Sequence, residues 1–359
     1  MSDIKDMIGE SVNRMFSQTV DRRLLDAAES GDWQRSLWDM VEESGYGDVL
    51  VGEGTDDLEG KWADAFPVFR ALGFYRVPLP LAETIIARGL LVRVGLPPCP
   101  GPLTVIQQQT GDKLNLQIVD GRLLLNGSAV AVPWAAHASN VIVAGSVGDQ
   151  KVIGVIRSDA TGVSLQPGFN IAKEPRDGMS FNTAACHAFA VCGDRLPNEP
   201  VLLYGALARA AMIAGAAESV LRESVQYAND RVQFGRPIGK FQAIQQSLAI
   251  LAGEVTSAQT AVLAACESAD VHPRWFDVAV AKVRSGQAAG LAANISHQVH
   301  GAIGFTYEHS LHYATRRMWS WRAEFGADSE WARQLGRQAI QCGSSGFWSD
   351  LTQGTSATR

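Results

Sequence analysis

The sequence predicts an α+β fold that is mostly α, with an N-terminal helical domain, a middle antiparallel β-domain and a C-terminal four-helix bundle. Three observations predict it. Apolar residues recur at helical spacing over residues 1–98, short runs split by glycine turns fill 99–200, and long helical patterns follow over 201–345. The last residues, 346–359, are predicted to be a loose tail.

Composition and charge exclude several classes of protein. The 359 residues are 46% hydrophobic and 19% charged, as in globular proteins, and the net charge of -6 argues against nucleic-acid binding. The five cysteines form no CxxC pair, which indicates reduced thiols in a cytoplasmic protein and no metal site. No signal peptide is expected, and the apolar stretch 206–217, interrupted by Arg209, is expected to fall short of a membrane span.

The N-terminal domain is predicted from apolar residues spaced three and four apart. Helices are expected over 24–29, 33–45, 62–74 and 81–95. Three glycines are expected to follow helix ends: Gly45, Gly47 and Gly73. The cluster PPCPGP then ends the helical region.

The middle domain is predicted from a change to strand-type patterns. Residues 113–134 contain a DG and an NG pair, both typical of hairpin turns. Further short strands are expected over 139–145, 151–158, 162–167 and 186–193. The C-terminal bundle is predicted from long helical patterns over 205–232, 241–269 and 275–301, with shorter ones over 311–325 and 331–341.

Two segments of the bundle carry chemistry. RVQFGRPIGKFQ (231–242) offers an arginine suited to phosphate binding and two phenylalanines suited to a flat ring. Its alternative interpretation is a helix connector with a buried phenylalanine. QVHGAIGF (298–305) places two glycines near a helix end, where backbone amides can approach a ligand or simply cap the helix.

Together, RxQFGxPIxxFQ and the later QxHGxxGF resemble the acyl-CoA dehydrogenase family. The resemblance implies an FAD bound at a subunit interface, a tetramer built as a dimer of dimers, and removal of hydrogens from Cα and Cβ of an acyl-CoA. It also implies electron-transfer flavoprotein as the acceptor. The residues that it assigns to a flavin shared with a neighbouring subunit are Arg231, Gln233, Phe234, Phe241, Gln242, Gln298, His300 and Gly301.

The resemblance leaves the catalytic base open. Counting from Gln298, the usual position of the base is Phe325, and Glu324 stands one residue early. A second group of relatives places the base before an arginine that matches Arg209, but Ala208 precedes it here. Glu324 is therefore the candidate base, against the alternative of an exposed glutamate beside a buried phenylalanine. Arg209 is expected either to order the active-site loop or to pair with a structural carboxylate.

The middle domain departs from the family pattern as well. The family's Thr-Glu-Pro stretch is missing, Val130 stands where a tryptophan is usual, and Trp134 is displaced by four residues. Short subunits of steroid side-chain dehydrogenases are similar in this respect. The chain is therefore expected to be one subunit of a heteromer whose related partner supplies the base. The alternatives are a self-sufficient homo-oligomer, a non-catalytic partner, or an enzyme similar to acyl-CoA or nitroalkane oxidases, and the acyl group stays open.

Four histidines cluster around the second motif and the next helix: His297, His300, His309 and His312. The cluster lacks the carboxylate spacing of a metal site. Helix packing and cofactor contact are the preferred interpretation.

Overall fold

The computed structural model describes residues 3–52, 60–108, 114–271 and 273–353. The α+β architecture predicted from the sequence is confirmed: helices come first, strands follow, and a helical bundle closes the chain. The N-terminal helices are α1 (Asp3–Thr19), α2 (Arg22–Glu29), α3 (Arg35–Glu43), α4 (Trp62–Tyr75) and α5 (Leu81–Arg93).

Of the three glycines expected to follow N-terminal helix ends, Gly45 lies after a helix and Gly73 lies inside one. Gly45 follows α3 with a left-handed φ of 71°, as a C-capping glycine should. Gly73 instead lies inside α4, so its predicted role as a helix end is wrong. A Cβ on Gly73 would lie 1.8 Å from the carbonyl oxygen of Met212, which shows that glycine is needed there for close helix packing.

The strands of the middle domain form two four-stranded sheets, in the orders β1-β4-β5-β8 and β2-β3-β7-β6. Apolar side chains from both sheets share one core. The strands are β1 (Leu103–Gln107), β2 (Asn115–Val119), β3 (Arg122–Pro133), β4 (Asn140–Val147), β5 (Gln150–Arg157), β6 (Val163–Gln166), β7 (Arg176–Ala185) and β8 (Ala188–Val191).

The middle domain differs from the prediction in two details. The pair β1–β4 is parallel, whereas the other paired strands of these sheets are antiparallel. The DG pair at Asp120–Gly121 makes the predicted hairpin turn. The NG pair does not, because Asn126–Gly127 falls at a register shift within β3.

The bundle contains α6 (Pro200–Asp230), α7 (Gln242–Val271), α8 (Trp275–His300), α9 (Leu311–Ala323) and α10 (Asp328–Gln353). Between α6 and α7, the two-residue strands β9 (Val232–Gln233) and β10 (Arg236–Pro237) form a small hairpin. The expected loose tail is partly wrong, because α10 continues to Gln353 across a kink at Gly343. Residues 354–359 of that tail lie outside the described residues.

Among the residues that the structure describes, two segments are long and apolar enough to cross a membrane by length and composition alone, one of which contains residues 206–217. In Gly193–Asp230, which includes α6, 94% of the apolar window is buried inside the protein. That helix is the centre of the main core and packs on α4, α7, α8 and α9. In α7 only 28% of the window is buried, so much of this helix faces away from the rest of the chain.

Candidate active site

A cavity of about 810 Å³ lies where the middle domain meets the bundle. Its walls come from β1, β3, the loop before β7, the start of α6 and the end of α9. The lining is mostly apolar, with Val105, Ile106, Val201 and Leu202 on one side. Glu324, Phe325 and Gly326 contribute the turn that follows α9.

Glu324 is held by two arginines from different domains. Arg176 of β7 donates from Nε to Oε1 at 2.8 Å and from Nη2 to Oε2 at 3.0 Å. Arg209 of α6 donates from Nε to Oε2 at 2.7 Å, and Asn170 donates from Nδ2 to Oε1 at 3.3 Å. Both oxygens of the carboxylate are therefore engaged, and its side chain is only 17% exposed. Charge-assisted bonds of this kind are the strongest that a carboxylate makes.

These contacts decide the acidity of the carboxyl group. Although burial alone would raise the pKa of Glu324, the charges of Arg176 and Arg209 and their hydrogen bonds lower that pKa to about 2. A carboxylate with such a low proton affinity is a poor general base, since proton abstraction is most effective when the pKa of the base lies near the working pH.

The pairing extends beyond Glu324 into a buried network, here termed the clamp: Glu83, Glu174, Arg176, Arg209 and Glu324. Arg209 also pairs with Glu83 of α5, and both side chains are 2% exposed. Arg176 also donates to Glu174, which accepts from the Trp321 indole at 2.9 Å. The clamp joins the N-terminal domain, the middle domain and the bundle through five alternating charges.

The contacts of Arg209 agree with one sequence-based interpretation, pairing with a structural carboxylate, and the ordering of an active-site loop stays a prediction. Arg209 pairs with the structural carboxylate of Glu83, and it also holds Glu324 in the turn after α9. Its guanidinium lies 5.4 Å from the centre of the Phe325 ring, within cation–π distance. The residues of the clamp that sequence reasoning missed are Glu83, Glu174 and Arg176, because their separation along the chain hides that they meet.

The turn that carries Glu324 is fixed by two further residues. Lys282, which is fully buried, donates from Nζ to the carbonyls of Trp321 and Arg322 at 2.8 and 3.2 Å, and so caps the end of α9. Burial lowers the pKa of Lys282 to about 7. The Trp331 indole donates to the carbonyl of Phe325 at 3.0 Å. Sequence reasoning did not single out Lys282, although a lone lysine on an alanine-rich helix face is a detectable pattern.

The residues of the first motif lie on an exposed loop, here termed the motif loop (residues 231–242). The Phe234 side chain is 92% exposed and has a left-handed φ of 53°. Phe234 and Phe241 meet edge to face at 6.1 Å, and the Arg236 guanidinium stacks 4.3 Å from the Phe241 ring. The alternative of a buried connector phenylalanine is therefore wrong for Phe234.

The polar residues of the motif loop are exposed as well. Arg231, Gln233 and Gln242 are all exposed, and Gln233 donates to the carbonyl of Val232 beside it. Within the described part of the chain, the Arg231 side chain makes no hydrogen bond or ion pair. The loop thus presents an arginine, two amides and an aromatic ring to the outside of this chain.

The second motif divides between surface and interior. Gln298 and Gly301 are exposed, and a Cβ on Gly301 would meet nothing within 4 Å. His300 is buried: its Nδ1 donates to the Ser296 carbonyl at 2.7 Å, and its ring packs 4.4 Å from Tyr227. This packing turns the side chain of His300 inward, so the predicted cofactor contact has no support from its orientation.

The histidine cluster is made of ring contacts. His297 stacks on Phe305 at 4.3 Å, and His300 meets His309 at 4.6 Å. Burial lowers the pKa of all four histidines of the cluster. Among the residues that the structure describes, no group of three or more His, Cys, Asp or Glu side chains could hold a metal ion.

The strand β3 changes course where the sequence departs from the family pattern. Ala131 and Trp134 both have left-handed φ values, 54° and 56°, around a register shift. Val130 lines the cavity and is 82% exposed. Trp134 is buried on the other side, near Trp33 and His137. The tryptophan displaced in sequence is therefore displaced from the cavity as well.

Comparisons with known proteins agree with this architecture. The family model described as "Acyl-CoA dehydrogenase, C-terminal domain" matches residues 198–341. Acyl-CoA dehydrogenase IpdE2 of Mycobacterium tuberculosis is 28% identical over 316 residues, which is 87% of this chain and 90% of the relative.

Two solved structures share the fold at lower identity. The ChsE4-ChsE5 complex from Mycobacterium tuberculosis is similar at a TM-score of 0.85 and 21% identity, covering 96% of this chain and 99% of that chain. The Tcur3481-Tcur3483 steroid ACAD, a G363A variant, is similar at a TM-score of 0.85 and 20% identity. The match covers 94% of this chain and 98% of that chain. The family model over residues 198–341, which include both motifs, and the IpdE2 relative support an acyl-CoA dehydrogenase-type oxidoreductase, and the two solved structures show the shared fold.

Proposed function

We propose that this chain is one subunit of a heteromeric, FAD-dependent acyl-CoA dehydrogenase, and that a related partner subunit supplies the catalytic base. The partner's cavity carries out the α,β-dehydrogenation of the acyl-CoA. This chain completes the flavin site through its motif loop.

The observation that carries this proposal is the state of Glu324. Among the described residues that line the cavity, Glu324 is the sole carboxylate. It is bound by Arg176 and Arg209, and its pKa is lowered to about 2. Because α-proton abstraction needs a carboxylate that can accept a proton, the cavity of this chain lacks a suitable base.

The surface of the chain fits a flavin shared with a neighbour. The motif loop offers the guanidinium of Arg231 for a diphosphate and the exposed ring of Phe234 for a flat system. Gly235 and Gly301 leave open space where a Cβ would stand, so a ligand could approach their backbone closely. When bound, FAD would accept the hydride from Cβ of the acyl group.

Assembly with an unlike partner is supported by the relatives. The ChsE4-ChsE5 structure is that of a complex, and the Tcur3481-Tcur3483 protein is named a steroid ACAD. We therefore favour a steroid-derived acyl group over a plain fatty chain for the assembled enzyme. The proposal includes a dimer of dimers, electron-transfer flavoprotein as the acceptor and a cytoplasmic location, for which the five free cysteines are suited.

A second candidate function is a non-catalytic partner that completes the FAD site of a related dehydrogenase. The same clamp around Glu324 favours it, because the clamp engages the only acid on the described cavity wall. In this second candidate the chain keeps the bundle and the subunit interface but binds no substrate productively.

The first experiment compares the chain purified alone with the chain co-expressed with a longer relative. Absorbance in the visible range and mass in solution are measured together. We expect a flavin-poor or aggregating chain alone, and a yellow assembly of defined mass with the partner. A yellow homo-oligomer whose flavin is bleached by acyl-CoA would contradict the heteromer.

The second experiment tests the motif loop and the base in the assembly. Arg231→Ala should reduce the flavin content, whereas the exposed Arg157→Ala, on the middle domain, should leave it unchanged.

Glu324→Gln should preserve bleaching of the flavin by acyl-CoA, because the partner holds the base. Loss of bleaching with FAD still bound and the fold intact would assign the base to Glu324 instead.

A further inference from the structure

A second, smaller cavity lies between the N-terminal domain and the middle domain. Its volume is about 100 Å³, below the range of about 300–1,000 Å³ that is usual for drug-sized ligands and cofactors, so it suits a group of only a few heavy atoms. One wall is the turn between α2 and α3, which carries Asp32 and Trp33. The other wall comes from the segment after β3 and from the loop between β6 and β7. Among the described residues that line this cavity, none belongs to the clamp.

Four aromatic rings line the small cavity: those of Trp33, Trp134, His137 and Phe169. The rings of Trp33 and His137 are stacked with 4.7 Å between their centres, and Trp33 meets Trp134 edge to face at 6.4 Å. Phe169 is 63% exposed and marks the open side of the cavity. Because the face of an aromatic ring carries partial negative charge, such a wall attracts cations.

The cavity also contains a buried carboxylate. Asp177 lines it and is only 2% exposed. Its Oδ2 accepts from the Ala136 amide at 2.9 Å, and its Oδ1 accepts from the Gly168 amide at 3.3 Å. Within the part of the chain that the structure describes, Asp177 forms no ion pair with a lysine, arginine or histidine. Since buried charges in proteins are normally paired, the carboxylate lacks its counter-ion.

The other groups on the cavity wall do not neutralise this charge. Burial lowers the pKa of His137, and the charge of Asp177 opposes that effect only in part, so His137 is uncharged at neutral pH. Asp32 is exposed and adds a second carboxylate. Of the described residues that line the cavity, none is a lysine or an arginine. The cavity therefore favours a cation over an anion.

We propose that this small cavity binds a methylated ammonium ion, with its charge beside Asp177 and its methyl groups against the aromatic rings. A metal ion would need several oxygen ligands, and a bare ammonium would need hydrogen-bond acceptors, neither of which an aromatic wall supplies. A methylated ammonium spreads its charge over its methyl groups and needs neither. The inference does not rest on the proposed function, because it requires no flavin, acyl-CoA or catalytic base.

The test compares two probes of the same shape that differ in charge, choline and 3,3-dimethyl-1-butanol. Each is titrated into the full-length protein, in the assembly in which it purifies, and binding is followed by saturation-transfer NMR on the methyl protons of the probe. We expect choline to bind at least about tenfold more tightly, because the rings and Asp177 attract only the charged probe. Equal affinities would overturn the cation site, and absence of saturation transfer from the protein to choline would overturn binding altogether.

Two variants locate the site. Asp177→Asn removes the charge and should weaken choline about tenfold while leaving the affinity for the neutral alcohol unchanged. An asparagine can accept only one of the two backbone hydrogen bonds that Asp177 accepts, so a second variant is needed in case this one does not fold. Phe169→Leu changes an exposed side chain, removes one ring and should weaken choline about threefold with no change for the alcohol.

The matched control is Asp149→Asn, which removes an exposed carboxylate between β4 and β5, away from the cavity wall. Its affinity for choline should equal that of the wild type. Equal weakening in Asp149→Asn and Asp177→Asn would show attraction to the net charge of the chain and would overturn the site. Unchanged choline binding in a folded Asp177→Asn or in Phe169→Leu would overturn it as well, whereas the flavin content of the assembly tests the proposed function separately.

Discussion

The clamp and the motif loop are both rich in arginine, yet they differ in where their partners are. Arg176 and Arg209 are buried, and each binds two carboxylates of the same chain. Arg231 is exposed, and Phe234 on the same loop is 92% exposed. The first region uses its charges to join three domains, and the second holds its binding groups outside the chain.

The difference shows how to separate a structural arginine from a binding one. A buried arginine must be paired, because an unpaired buried charge costs several kcal/mol. An exposed arginine needs no partner within the chain, because water solvates its charge. Its substitution therefore changes the free energy of unfolding only slightly. Substitutions in the clamp should therefore change stability, and substitutions in the motif loop should change ligand binding.

The largest effect is expected from Glu324→Ala. It leaves Arg176 and Arg209 with one carboxylate each, Glu174 and Glu83, in a buried site. Breaking one partner of such a network should lower the free energy of unfolding by about 3 kcal/mol. Denaturant unfolding of the variant measures this loss, with Arg231→Ala as the comparison from the motif loop. Equal losses in the two variants would remove the distinction between the regions.

The free energy of unfolding should also depend on pH through the clamp, by an amount similar to the effect of Glu324→Ala. The folded state lowers the pKa of Glu324 from 4.5 to about 2, so the stabilisation is complete above pH 4.5 and is lost as pH falls toward 2. The whole effect is about 3 kcal/mol.

Glu324→Gln cannot titrate at this position and supplies the control for the pH effect. The difference in unfolding free energy between the wild type and Glu324→Gln should therefore narrow as the pH is lowered from 5. A difference that stays constant over that range would mean that Glu324 does not interact with the two arginines as its contacts indicate.

The smallest effect on stability is expected in the motif loop. Phe234→Ala should change the free energy of unfolding by less than about 0.5 kcal/mol, because the ring is almost fully exposed. The same variant should lower the flavin content of the assembled protein, which absorbance measures. A large loss of stability in the isolated chain would mean that the loop packs within the chain and is not kept for a partner.

Prediction from the sequence succeeded where the pattern is local and failed where distant segments meet. The spacing of apolar residues predicted α3, α4 and α6 closely, and the DG pair predicted the β2–β3 turn. Gly73 was misplaced because its reason lies on another helix, at Met212. The parallel pairing of β1 with β4 was missed because strand direction depends on where the chain returns.

The candidate site divides in the same way. The sequence alone determined the order of the domains and the two motifs, and it indicated that positions 324 and 325 depart from the family pattern. Each of these features depends on residues that are close together along the chain. Only the tertiary structure decided that Glu324 is bound by Arg176 and Arg209, because these residues are 148 and 115 positions away along the chain. An ion pair depends on distance and burial in space, and neither is encoded by spacing in sequence.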